Sequence, residues 1–132
     1  MSKWGEIRND YIDDDNVLYF DAWLTDDDNE EGKVIAKLNI DNMMLEYIDG
    51  HARKDYYALE CIDESIEEYY ENRFTVWKDH NTKDWCVLDN TTNCNLIRDD
   101  SEECCMKFIR KLVKGEVTWI KLMPVGVREC YE

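Results

Sequence analysis

Asp26, Asp27, Asp28, Glu30 and Glu31 crowd five carboxylates into six residues, just ahead of Gly32 and the alternating stretch "KVIAKLNI". Oxygens packed this closely could hold a hard cation, form a contact surface for a basic partner, or cap a hairpin. A twelve-residue calcium loop needs Asp or Asn at its first, third and fifth positions, Gly at the sixth and a bidentate Glu at the twelfth. Counted from Asp27, the chain supplies Asp27, Asn29, Glu31, Gly32 and Val34, then Leu38 where the Glu is required. The oxygen cage is left open, and no specific metal is expected there.

The thiols and imidazoles offer little more. Cys61, Cys86, Cys94, Cys104, Cys105 and Cys130 contain no C-x-x-C pair to aim two thiolates at one zinc ion. His80, Cys86, Cys94 and Cys104 have no diagnostic spacing, and the cysteines read better as small buried apolar residues. His51, in "DGHARK", and His80, in "DHNTKD", both read as surface-loop residues. No nucleophile elbow, metalloprotease helix or phosphate loop occurs, and carboxylates are too numerous for a catalytic pair to be singled out. No catalytic residue, metal or cofactor is expected, and the chain is not read as an enzyme.

Charge is the more informative property. The chain carries 31 acids against 16 bases, a net charge of −15 over 132 residues. Residues 1–31 hold 11 acids and 2 bases, residues 32–72 hold 10 and 4, and residues 73–132 hold 10 and 10, so the net charge lies in the first 72. That balance opposes bare nucleic acid and anionic membranes, and it favours a cationic partner. "MSKWGEIRND" contains no apolar export signal and no run of 18 apolar residues occurs, which points to a cytoplasmic protein with reduced thiols.

These residues must be positioned by regular elements. Trp4, Ile7 and Tyr11, spaced three and four apart, predict a short helix within 2–12, weakened by Gly5. "NVLYFDAWLT" alternates as a strand, with Leu18, Phe20, Ala22 and Leu24 on one face and Tyr19, Asp21 and Trp23 on the other. "KVIAKLNI" alternates likewise, with Val34, Ala36, Leu38 and Ile40 inward and Lys33, Lys37 and Asn39 outward, so the acidic run becomes the tip of a hairpin with Gly32 free to take a positive φ. "MLEYI" is a third strand. Over 55–71, Leu59, Ile62, Ile66 and Tyr69 mark a helix capped by Asp55, its other faces carrying Glu60, Asp63, Glu64, Glu67, Glu68 and Glu71.

The second half repeats the scheme. "RFTVWK", "DWCVLD" and "CNLIR" predict three strands. A helix over 101–114 follows, capped by Ser101, ended by Gly115, with Cys105, Phe108, Ile109 and Leu112 inward and Lys107, Arg110, Lys111 and Lys114 on a basic face. "VTWIKLM" predicts a last strand. The expectation is one α+β domain over 1–132, acidic over 1–72 and neutral over 73–132, in the order βββα-βββα-β, with helices packed on antiparallel sheet.

The leading functional expectation is a small acidic binding module that engages a positively charged protein surface. Rows of Asp and Glu can imitate the phosphates of nucleic acid, as in small acidic inhibitors of nucleic-acid enzymes from phages and mobile elements. The partner-binding residues expected are Asp13, Asp14, Asp15, Trp23, Asp26, Asp27, Asp28, Glu30, Glu31, Glu64 and Glu68. Trp23 is included because an aromatic ringed by acids has the makeup of a binding hot spot. The alternatives are a nucleic-acid-binding module built on the C-terminal meander and its basic helix face, or a soluble domain of no assigned role. Adjacent Cys104 and Cys105 in a helix cannot bridge each other. Thiol titration of the denatured, unreduced protein should therefore find all six cysteines reactive; missing thiols would overturn the reduced reading.

Overall fold

The computed structural model describes residues 2–24 and 32–117. Its contacts divide into two units, one ending at Tyr69 and the other beginning at Tyr70. The first runs β1 (Trp4–Ile12), β2 (Val17–Leu24), β3 (Lys33–Asn39), β4 (Met44–Tyr47), a 3₁₀ turn (Gly50–Arg53) and helix α1 (Tyr56–Tyr69). Its four strands form an antiparallel meander in the order β1-β2-β3-β4.

The helix expected within 2–12 is not formed, and β1 stands in its place. The cause is a pair of bulges. Trp4 pairs with Leu24 and Glu6 with Trp23, so Gly5 is an extra residue. Further on, Asn9 and Asp10 together oppose Phe20 alone, between the pairs Arg8–Asp21 and Tyr11–Tyr19. Each inserted residue breaks strict alternation. Trp4 and Ile7 thus share the buried face three residues apart, which imitates helical spacing.

A third bulge acts in β3. Phe20 pairs with Ala36 and Asp21 with Val34, leaving Ile35 as the inserted residue. Its side chain is fully buried, and its carbonyl accepts from both Ile48 and Asp49 amides. Val34, expected inward, pairs instead with Asp21 on the outer face. Leu18, Phe20, Ala36, Leu38 and Ile40 complete the inner face.

Helix α1 packs against the edge strand β1, presenting Ala58, Ile62, Ser65 and Ile66 inward, with Leu59 and Tyr69 half-buried. The Ile7 amide of β1 donates to the Tyr57 hydroxyl, and the Asn9 amide group donates to Ser65 Oγ at 2.8 Å. Edge donors that would otherwise invite a foreign strand are satisfied by the helix. Asp55 starts α1, as its sequence position predicts. Its carboxylate accepts from the amides of Tyr57 and Ala58, from Ser2 Oγ and from the Lys3 amide, and lies 3.4 Å from His51 Nε2.

The second unit runs β5 (Phe74–Lys78), β6 (Trp85–Asp89), β7 (Cys94–Asp99) and α2 (Glu102–Val113), its strands ordered β5-β6-β7. The observed order is therefore ββββα-βββα rather than two equal three-stranded units. The expected strand at 117–123 lies almost wholly outside the described residues. Ser101 caps α2, and Gly115 at φ +76° ends it. The Gly115 amide bonds to the Leu112 carbonyl and the Glu116 amide to that of Lys111, which together close the helix. Cys86, Cys94 and Cys105 are buried beside Phe74, Val87, Leu96 and Ile109, filling the role of small apolar residues.

Burial raises the Asp55 carboxyl, but the Ser2 hydroxyl and the amides of Ala58, Lys3 and Tyr57 outweigh it and hold the group below the usual 3.8. A depressed carboxyl stabilises the fold above its unfolded value, and that contribution is lost as pH falls through the folded value. Asp55→Ala should cost about 2–4 kcal/mol at neutral pH, since it removes a cap and strands buried donors. It should also flatten the loss of stability below pH ~4. Denaturant melts across pH check both, and a single-domain chain should show one transition.

Candidate functional site

Two surfaces of the first unit carry the expected partner-binding residues. One is the outer face of α1. Glu60, Glu64 and Glu68 are exposed at four-residue intervals, about 6 Å apart along the axis. Glu64 and Glu68 have no basic partner among the described residues. Their field reaches inward: Cys61 is pushed up to about 11, first by burial and then by Glu64 and Glu60.

The other is the outer face of the four-stranded sheet. Pairing places Glu6 beside Trp23, Tyr11 beside Tyr19, Tyr19 beside Lys37, and Lys37 beside Glu46. Trp23 is half-buried. The Arg8 guanidinium lies 5.0 Å over its ring, held by a 2.8 Å bond to Glu6. Gly32 sits so close to the indole that a Cβ there would strike it; its backbone is not at positive φ. The expected role of Gly32 is thereby corrected: it makes room for Trp23 and does not turn the chain.

Asp13 heads the β1–β2 turn. Its carboxylate accepts from the amides of Asp15 and Val17 and from the Tyr19 hydroxyl at 2.6 Å, while Asn16 closes the turn at φ +62°. The Tyr19 bond, more than any other cause, lowers the Asp13 carboxyl, and it pushes the Tyr19 hydroxyl up to about 12. Asp13 is thus committed to the turn, whereas Asp14 and Asp15 stand exposed beside it. Asp26, Asp27, Asp28, Glu30 and Glu31 lie outside the described residues.

The structure brings together residues that the sequence pattern kept apart. A hollow of about 330 Å³ opens on this face, lined by Asp13, Asp15, Tyr19, Lys37, Met44 and Glu46 among others. Tyr11 and Met44 are 58% and 60% exposed, so the face is open on both sides of Tyr19. The aromatic alternation of β2 signals Tyr19 and Trp23. Tyr11 could not be added to them while it was assigned to a helix.

Among the described bases of the second unit, two arginines are paired with acids, while Lys78, Lys83 and Lys107 are exposed. Arg73 pairs with buried Asp89 at 3.1 Å, and Arg98 with Asp79 at 3.1 Å and Asp84 at 3.6 Å. On α2, Lys107 is exposed, Arg110 and Lys111 are half-buried, and Lys114 is buried. His80 is exposed in its turn, and His51 packs edge-on against Trp4. Among the described residues no three His, Cys, Asp or Glu side chains converge as a metal site, and no helix is long and apolar enough to cross a membrane.

No protein-family model matches the chain, and no curated protein or solved structure matches it either. Function is therefore argued from the surfaces alone. The expectation of no structural metal has a direct check. Thermal melts with and without EDTA should coincide; a large fall in the midpoint with EDTA would reveal a metal that the fold needs.

Proposed function

We propose that the chain is a small binding module whose acidic first unit engages a positively charged protein surface, as an inhibitor that occupies the nucleic-acid groove of a basic enzyme would. The observation that carries this reading is the row Glu60, Glu64 and Glu68 on the solvent face of α1. Like charges four residues apart disfavour a helix by a few tenths of a kcal/mol per pair, and among the described residues no base pairs with the row to relieve that repulsion. A row that weakens its own helix is readily explained by a use outside it. Asp14 and Asp15, at the β1–β2 turn, extend the acidic surface of the same unit. Phage or mobile-element inhibitors are the setting in which such a surface is familiar.

The nucleic-acid-binding alternative has less support. Its basic residues would have to come from the second unit, where Arg73 and Arg98 are engaged with Asp89, Asp79 and Asp84. Counterion release needs exposed cations, and the described ones here are scattered: Lys78 and Lys83 on the meander and Lys107 on α2.

Exposed loop and helix acids contribute little to folding, and neutralising them relieves self-repulsion. A variant carrying Asn or Gln at Asp26, Asp27, Asp28, Glu30, Glu31, Glu64 and Glu68 should melt at the same temperature or higher. Affinity capture from host lysate at low salt, eluted at moderate salt, should recover basic proteins on the native chain and lose them on the variant. Association with a captured partner should slow, because peripheral charges act mainly on the on-rate. Equal recovery and an unchanged on-rate would refute the acidic surface as the binding element.

A further inference from the structure

We propose, on the reading that the partner is a basic protein, that the hollow on the outer face of the four-stranded sheet is the socket for one arginine side chain of that partner. The face already holds a guanidinium at its other end. There, β2 supplies the ring of Trp23, β1 supplies the carboxylate of Glu6, and Arg8 lies 5.0 Å over the ring with a 2.8 Å bond to the acid. Tyr19 lies four residues from Trp23 on the same face, with Asp21 between them, and around Tyr19 the components recur without a resident guanidinium. Tyr19 and Tyr11 stack at 5.5 Å with a tilt of 39°, and carboxylates stand on two sides, Asp15 at the turn and Glu46 on β4.

Shape and charge select the occupant. The hollow has a volume of about 330 Å³, and its lining sets Val17 and Met44 beside Asp15 and Glu46, so it offers apolar contact for a side-chain stem and acids for its head. Lys37 holds its ammonium 5.6 Å from the Tyr19 ring, which shows that the ring accepts a cation and leaves less room for a second compact ammonium. A flat guanidinium can instead lie along Met44 and reach Glu46 or Asp15. A second copy of the chain would bring its own charge of −15 against these acids.

Titration of the full chain with acetylated hexaarginine amide, followed by NMR at low salt, tests the socket. The largest shifts are expected at the Met44 methyl and at the amides of Tyr19, Lys37 and Glu46. Hexaarginine should bind about two- to fivefold more tightly than hexalysine. Asp15→Asn with Glu46→Gln, both exposed positions, should weaken hexaarginine about three- to tenfold while leaving the amide spectrum dispersed. Met44→Ser gives a second variant that removes wall and not charge, and it should erase the preference for arginine. Shifts confined to α1 around Glu64 and Glu68 would overturn the socket while leaving the acidic-module reading standing. Equal binding of the two peptides, or the same shifts produced by calcium alone or by raising protein concentration, would also overturn it. Absence of any shift with either peptide would sink both readings.

Discussion

A carboxylate taken out of water has to be met by donors, and that requirement shapes the hairpin turns among the described residues. Left unpaired, such a charge costs several kcal/mol. Asp55, Asp79 and Asp89 are the buried carboxylates among the described residues, and each is placed where backbone amides converge. Asp89 takes the Thr91 amide and the Arg73 guanidinium, and Asp79 takes the Asn81 amide and Arg98. Asp13 and Asn39 do the same for the first unit, with Asn39 accepting from Asp41 and Asn42. Each of these four hairpins then closes with one residue at positive φ: Asn16, Met43, Lys83 or Asn93. Side-chain oxygens that imitate a turn and a left-handed residue that ends it fix the strand register together.

That local device sorts the acids of the chain into two populations. Asp13, Asp49, Asp55, Asp79 and Asp89 are committed to amides, hydroxyls or cations and serve the fold. Asp14, Asp15, Glu60, Glu64 and Glu68 serve no comparable contact and face water. A net charge of −15 therefore does not spread evenly as solvation. Part of it is absorbed in turns, and among the described residues of the first unit exposed acids stand at the β1–β2 turn and along α1.

How much of this was legible in the sequence depends on where periodicity holds. Helices α1 and α2, their caps at Asp55 and Ser101 and the stop at Gly115 follow directly from apolar spacing and capping chemistry. β1 did not, because two inserted residues convert a period of two into spacings of three and four. Ile35 escaped for the same reason, since strict alternation put it outside. Alternation in β2 separated Tyr19 and Trp23 from the aliphatic face, so half of the candidate sheet surface could be read. The remainder, Lys37, Met44 and Glu46, comes from β3 and β4, whose register against β2 is not fixed by alternation alone. Asp13 could be counted as an acid from sequence, but its engagement with Tyr19 needed the hairpin. Gly32 was visible as a glycine, and only the Trp23 indole explains why it is one.

The same bulges bear on which partners the sheet can take. An antiparallel sheet with an open aromatic face and free edges would ordinarily invite another strand or a second copy. Here the β1 edge is kinked twice and its amides at Ile7 and side chain at Asn9 are engaged by α1, while β4 is only four residues long. Edge pairing is thus discouraged by geometry, and face pairing between copies by their shared negative charge. The outer face leaves Tyr11 and Met44 exposed together with Asp15 and Glu46, apolar surface that water penalises on a face whose carboxylates repel anionic neighbours. On the proposed reading, a partner group with an apolar stem and a cationic head would satisfy both, and a basic protein presents such groups in quantity.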